Sequence, residues 1–204
     1  MQDTKTLLAK FFSLFAGVAL SGAVAAAPAA PNPTPQVSLK TTEGEIVLEL
    51  NQEKAPKSVA NFLSYVKSGH YKGTIFHRVI DGFMIQAGGY TADLKGKPTK
   101  PPVVSESQNG LKNETYSVAM ARTGNPNSAT AQFFINVVDN TGLDYPGQDG
   151  FGYTVFGKVV KGHEVVDKIK GVLVDDKGIF QNIPVTPIVI TSATVLKTPV
   201  AVTQ

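Results

Sequence analysis

The sequence predicts an all-β-dominated domain, either a closed antiparallel barrel or a sandwich, with two α-helices covering its openings. Three observations carry this. Short runs alternate apolar and polar side chains at period two, only two segments show helical spacing, and the connections are rich in Gly, Pro and Asn.

Val37, Leu39 and Thr41 alternate with polar residues, as do Ile46, Leu48 and Leu50 beyond Glu43-Gly44, so the chain opens on a hairpin of half-buried strands. Pro56 suits a first helical position, and Val59, Phe62, Leu63 and Val66 follow at i, i+3, i+4 and i+7, with a stop near Gly69. Strands are expected over 74–80, 83–87, 117–121, 132–137 and 153–160. A second short helix over 163–170 carries Val165, Val166 and Ile169, and the last strand spans 188–196. The stretch 91–115 has no clear period and is expected as a long surface or functional loop.

The N-terminus has a different character. Lys5 and Lys10 precede an apolar run, Phe11 to Leu20, which gives way to small residues through Ala27. That order is expected of a secretory signal peptide over 1–26, cleaved after Ala26 or Ala29, since the run is short for a membrane span. A proline-rich leader follows over 27–36, then a domain over 37–197 and a tail over 198–204. The expected location is the periplasm. Removal of Lys5, Lys10 and Asp3 lowers the formal charge from +3 to +2, which predicts no nucleic-acid partner and no stable membrane association. The absence of cysteine removes disulfides, thiolate nucleophiles and cysteine-zinc sites together.

His70, His77 and His163 are isolated and form no histidine-carboxylate cluster of metal-ligand pattern, so neither a metal nor another cofactor is expected. There is no G-x-S-x-G elbow and no phosphate-binding glycine loop, which leaves hydrolases and nucleotide enzymes without support. Asn113-Glu114-Thr115 matches a glycosylation sequon, a weak three-residue signal.

What remains is FHRVIDGFMIQAGG, residues 76–89, where Arg78 and Gln86 interrupt apolar runs. An unpaired guanidinium is costly to bury, so Arg78 must face solvent, a partner or a ligand. A two-residue turn at Asp81-Gly82 would pair Ile80 with Phe83 and put Arg78 and Gln86 on opposite faces. A three-residue loop, 81–83, would pair Ile80 with Met84 and set them opposite each other on one face. Both registers fit the residues.

Phe76-His77-Arg78 together with Gly82 to Gln86 resembles the hallmark segment of the cyclophilins, a family of peptidyl-prolyl cis-trans isomerases. Ala119-Met120-Ala121, Ser128 to Phe134, Leu143-Asp144 and Val155 to Val159 resemble its later motifs, in order, so the likeness spans roughly 37–196. The leader is most similar in style to exported cyclophilins of Gram-negative bacteria. The resemblance implies a closed eight-stranded antiparallel barrel capped by two α-helices, an outer binding groove and the three-residue loop. It also implies isomerisation of X-Pro bonds in proline-containing unfolded or refolding polypeptides, assisting protein folding, by a chain for which a monomer suffices.

In that reading Arg78 is catalytic and Phe83, Met84, Phe134 and Leu143 form the proline pocket. Gln86 and Gln132 hold the substrate backbone, main-chain groups near Ala121 and Arg122 add strand-like hydrogen bonds, and Tyr153 lines the groove. His77 is expected as a structural neighbour. Three residues depart from the family pattern: Gly142 stands where an aromatic is common, Arg122 for Asn adds a charge at the groove, and Tyr153 replaces His. The loss at Gly142 makes strong cyclosporin binding doubtful. A non-catalytic proline-peptide binding module on the same barrel is the alternative of a different class.

Overall fold

The computed structural model describes residues 34–201. The basic-apolar-small leader and most of the proline-rich segment therefore lie outside the described residues, as do the last three residues of the tail. Eight strands form one antiparallel sheet in the order β10-β1-β2-β7-β5-β6-β4-β3. The strands run β1 (Gln36–Thr41), β2 (Gly44–Leu50), β3 (Thr74–Ile80), β4 (Met84–Thr91), β5 (Ser117–Met120), β6 (Phe133–Asn136), β7 (Val155–Lys161) and β10 (Ile190–Val195). The sheet curls until β3 meets the segment entering β10. There Phe76 N–H donates to Ile188 O at 3.0 Å, Gly73 N–H donates to Ile190 O at 2.8 Å, and Ile75 bridges Val189. The barrel is nearly closed, by a seam shorter than a full ladder. Apart from this seam, the short hairpin β8 (Val174–Lys177) and β9 (Phe180–Pro184) pairs by itself.

Two helices complete the fold. α1 (Pro56–Lys67) buries Val59, Phe62 and Val66, while Leu63 is half-buried at the edge of the same stripe. Phe62 lies 5.1 Å from Tyr71, 5.4 Å from Phe133 and 5.2 Å from Phe156, ring centre to ring centre. Burying each such ring is worth about 1.5–3 kcal/mol, which fixes the helix on the barrel. No side chain of its own caps α1. The carboxylate of Glu106, from the long loop 92–116, does so by accepting from Lys57 N–H at 3.0 Å, Ser58 N–H at 2.8 Å and Ser58 Oγ at 2.7 Å. α2 (His163–Lys170) buries Val165, Val166 and Ile169.

Several boundaries move from those the sequence predicts. β4 starts at Met84 instead of Phe83 because Phe83 closes the turn, and it continues to Thr91. Tyr153 and Gln132 fall just outside β7 and β6, and β5 ends before Ala121. The hairpin β8–β9 is absent from the sequence-based expectation because Asp175, Asp176 and Lys177 are exposed and show no apolar alternation. The sequon asparagine, Asn113, is 2% exposed and hydrogen-bonded to Asp144 and Asn136, so it presents no free amide for glycosylation.

Candidate active site

The hairpin β3–β4 adopts the three-residue loop. Ile80 pairs with Met84 and Arg78 with Gln86, while Phe83 N–H donates to Ile80 O at 3.1 Å. Gly82 takes φ +73°, a left-handed conformation that glycine adopts without strain. Strict alternation would put Phe76 and Arg78 on one face. A bulge at His77 separates them: Phe76 pairs with Ala87 and Arg78 with the adjacent Gln86. Phe76 thus enters the core, and Arg78 shares the outer face with Gln86.

From there the ladders draw one row across the outside of the barrel. Arg78 faces Gln86, Gln86 faces Phe134, Phe134 faces Ala119 and Ala119 faces Val155. The alternate residues Ile85, Ala87, Phe133, Ile135 and Val118 point into the core. Outside, Met84, Ala119, Phe134 and Val155 form a second apolar cluster, against which Ile80, Phe83, Leu111, Ala121, Leu143 and Tyr153 pack. Thus Phe83, Met84, Phe134 and Leu143 do come together, with Tyr153 edge-on to Phe134 at 5.6 Å.

The polar side of the row is equally ordered. Gln86 Nε2 donates to Gln132 Oε1 at 2.8 Å, which orients both amides. Arg78 is half-buried, its Cζ 6.0 Å from the Phe83 ring centre, and among the described residues no hydrogen bond or ion pair holds its guanidinium. His77 is 5% exposed and packs edge-on against Tyr90, behind the row. Burial depresses its pKa to about 4, outweighing the neighbouring Ile75 backbone and Gln132 amide, so it carries no charge at neutral pH.

Two of these residues gain detail. Of the main-chain groups near Ala121 and Arg122, the Ala121 N–H donates to Gln132 O at 3.0 Å, while the main chain of Arg122 has no partner among the described residues. The charge that Arg122 adds at the groove is held in place. Its side chain is only 4% exposed, lies 4.2 Å from the Tyr153 ring centre, and donates to Thr123 O, Gly152 O and the Asp149 carboxylate.

Other positioning residues carry weaker sequence signals. Buried Asn136 donates to Asn113 Oδ1 and Ser117 Oγ, and its Oδ1 accepts from Asn140, whose amide also reaches Phe83 O at 2.8 Å. This network sets Phe83 against the 3-10 turn Thr141–Leu143. Continuing the period-two pattern outward would have found Ala119 and Val155. No spacing rule finds an asparagine network.

A mostly β, nearly closed eight-stranded barrel with an arginine-glutamine-phenylalanine row over an outer apolar cluster defines a cyclophilin-like protein. The family model of the cyclophilin-type peptidyl-prolyl cis-trans isomerases matches residues 36–195, and the chain belongs to that family. It is 57% identical over 162 residues to a peptidyl-prolyl cis-trans isomerase of Streptomyces antibioticus, covering 78% of this chain and 98% of the relative. It is 52% identical over 194 residues to peptidyl-prolyl cis-trans isomerase A of Dickeya dadantii, covering 95% and 99%. The crystal structure of a cyclophilin-type isomerase from Cryptosporidium parvum superposes with a TM-score of 0.66 at 28% identity, covering 81% of this chain and 99% of that one. A second structure of that protein, determined in the presence of the dipeptide Ala-Pro, gives 0.65, also at 28% identity, and covers 80% and 99%.

Proposed function

We propose that this isomerase rotates X-Pro bonds of unfolded or refolding polypeptides on the outer face carried by Arg78, Gln86 and Phe134, with Arg78 as the catalytic group. The amide barrier is about 18–20 kcal/mol, and uncatalysed X-Pro exchange takes tens to hundreds of seconds. Millisecond turnover needs roughly a 10⁵-fold gain, or about 7 kcal/mol. In the twisted state amide resonance is lost and the lone pair localises on the prolyl nitrogen, which becomes a better hydrogen-bond acceptor. A guanidinium aimed there stabilises the transition state more than the planar ground state. No proton transfer to the reacting bond and no covalent step is needed.

The observation that carries this reading is the contrast between the guanidinium of Arg78, which among the described residues has no hydrogen bond or ion pair, and the ordered groups around it. The Gln86–Gln132 amide pair and the unpaired Arg122 main chain hold the peptide backbone, while Phe83, Met84, Phe134 and Leu143 seat the proline ring. The test is a prolyl-peptide isomerisation assay. Arg78→Ala should bind peptide but lose about 10²–10³-fold in kcat/KM, the scale of removing one preorganised transition-state donor. A full-rate Arg78→Ala would refute the mechanism; a wild type that binds peptide without accelerating its isomerisation would refute the enzyme reading.

The setting is the periplasm, where the chain assists folding of exported proteins. The basic, apolar and small-residue order of residues 1–26 supports export, and cell fractionation with N-terminal sequencing of the mature chain tests it. Cyclosporin-type ligands bind weakly in this reading because Gly142 leaves one groove wall without an aromatic ring.

A further inference from the structure

The groove holds its two arginines in opposite ways. Arg78 has no hydrogen bond or ion pair among the described residues, whereas Arg122 is enclosed, largely by backbone carbonyls. Nε and an Nη of Arg122 both donate to Gly152 O, at 3.1 and 2.6 Å, and the other Nη donates to Thr123 O at 3.0 Å. The Asp149 carboxylate uses Oδ2 for Arg122 and Oδ1 for the N–H groups of Phe151 and Gly152, both at 3.0 Å. The next residue, Tyr153, donates its N–H to Leu143 O at 2.8 Å. Gly152, at φ +63°, lies so close to the 143–145 backbone that a Cβ there would sit 2.7 Å from Tyr145 N and 2.9 Å from Leu143 O. Arg122 therefore reaches two walls of the proline pocket, Leu143 and Tyr153, through one strap of backbone.

We propose that Arg122 and Asp149 form a latch that positions Leu143 and Tyr153, and that the latch withholds the Arg122 charge from the substrate. This rests on the isomerase reading above. The pair is exposed on one side only, Asp149 being 43% exposed and the Arg122 side chain 4%. Its contribution is geometric: a planar fork gripping one carbonyl while its face covers an aromatic wall. The latch also sets specificity. With its guanidinium already neutralised, Arg122 gives no preference for acidic residues next to proline; freed from Asp149, it attracts them.

The experiment compares wild type, Asp149→Asn and Arg122→Ala on matched peptides with Glu-Pro and Lys-Pro bonds, at low and high salt. Amide hydrogen exchange at Tyr153 is followed in parallel. Asp149→Asn retains an acceptor for Phe151 and Gly152 but removes the charge that holds Arg122. It should raise the Glu-Pro to Lys-Pro ratio of kcat/KM about three- to tenfold, an effect that fades in high salt. Arg122→Ala should leave that ratio at the wild-type value. Both variants should speed Tyr153 exchange at least about tenfold and lower kcat/KM for both peptides. The proposal is overturned if Asp149→Asn changes neither the ratio nor the exchange. It is equally overturned if wild type prefers Glu-Pro in a salt-sensitive way that Arg122→Ala abolishes, since Arg122 would then read substrate directly. A wild type inactive on every peptide would refute the isomerase reading instead, and Tyr153 exchange would still decide the latch.

Discussion

Acid should weaken this fold through His77. The ring is 5% exposed, and Nδ1 has no hydrogen-bond partner among the described residues. Desolvation is the largest cause of its low pKa, and the Arg78 charge adds to it. In the unfolded chain the same imidazole takes a proton at its ordinary value near 6.5, but in the fold only near 4. Between these values the unfolded state binds more protons, so the stabilisation is complete above pH 6.5 and is lost as pH falls toward 4. A displacement from 6.5 to about 4 corresponds to roughly 3 kcal/mol, and most of it is gone by pH 4.5. For a domain of this size that is a fall in Tm of about 6–12 °C. The assay is urea unfolding from pH 7.5 to 4.5 on wild type and His77→Gln. His70, whose pKa burial also lowers, contributes in the same direction to both proteins, so the difference in slope isolates His77. Equal pH slopes in the two proteins would refute the reasoning. kcat/KM should meanwhile stay flat across neutral pH, because no step of the proposed mechanism moves a proton.

Two further perturbations probe the supports of the site. Glu106→Ala removes three hydrogen bonds from the N-terminus of α1 and should cost about 1–2 kcal/mol, read as a lower urea midpoint; an unchanged midpoint would mean that solvent caps the helix equally well. Gly142→Phe should strengthen cyclosporin binding by at least about tenfold in a fluorescence titration. A Cβ at 142 meets only the Gln148 amide, at 3.4 Å, and that flexible side chain can move aside; unchanged affinity would place the weakness elsewhere in the groove.

Where one periodicity governed a segment, the sequence was enough to read it. β1 and β2 alternate, and α1 and α2 carry a stripe at helical spacing, because burying one face leaves a regular imprint on the residue order. The Arg78–Gln86 question was not legible in this way. Its answer needed the loop length and the bulge at His77, each of which moves a side chain to the other face by a change of one residue. Family resemblance favoured the register that the structure has, while the residues by themselves fitted both.

Side-chain partners far apart along the chain were less legible still. Glu106 caps a helix whose first turn lies 48 and 49 residues earlier, and Arg122 grips a carbonyl 30 residues later. Nothing local announces either contact, and the sequence shows only that residue 122 adds a charge at the groove, not what neutralises it. The sequence by itself determined the eight barrel strands but not the β8–β9 hairpin, together with the two helices, the family motifs and an arginine that had to find a use. Only the tertiary structure decided which arginine stays free. Hydrophobic period is a property of neighbours in sequence, whereas the neutralisation of a charge depends on whatever the folded chain brings within hydrogen-bond reach.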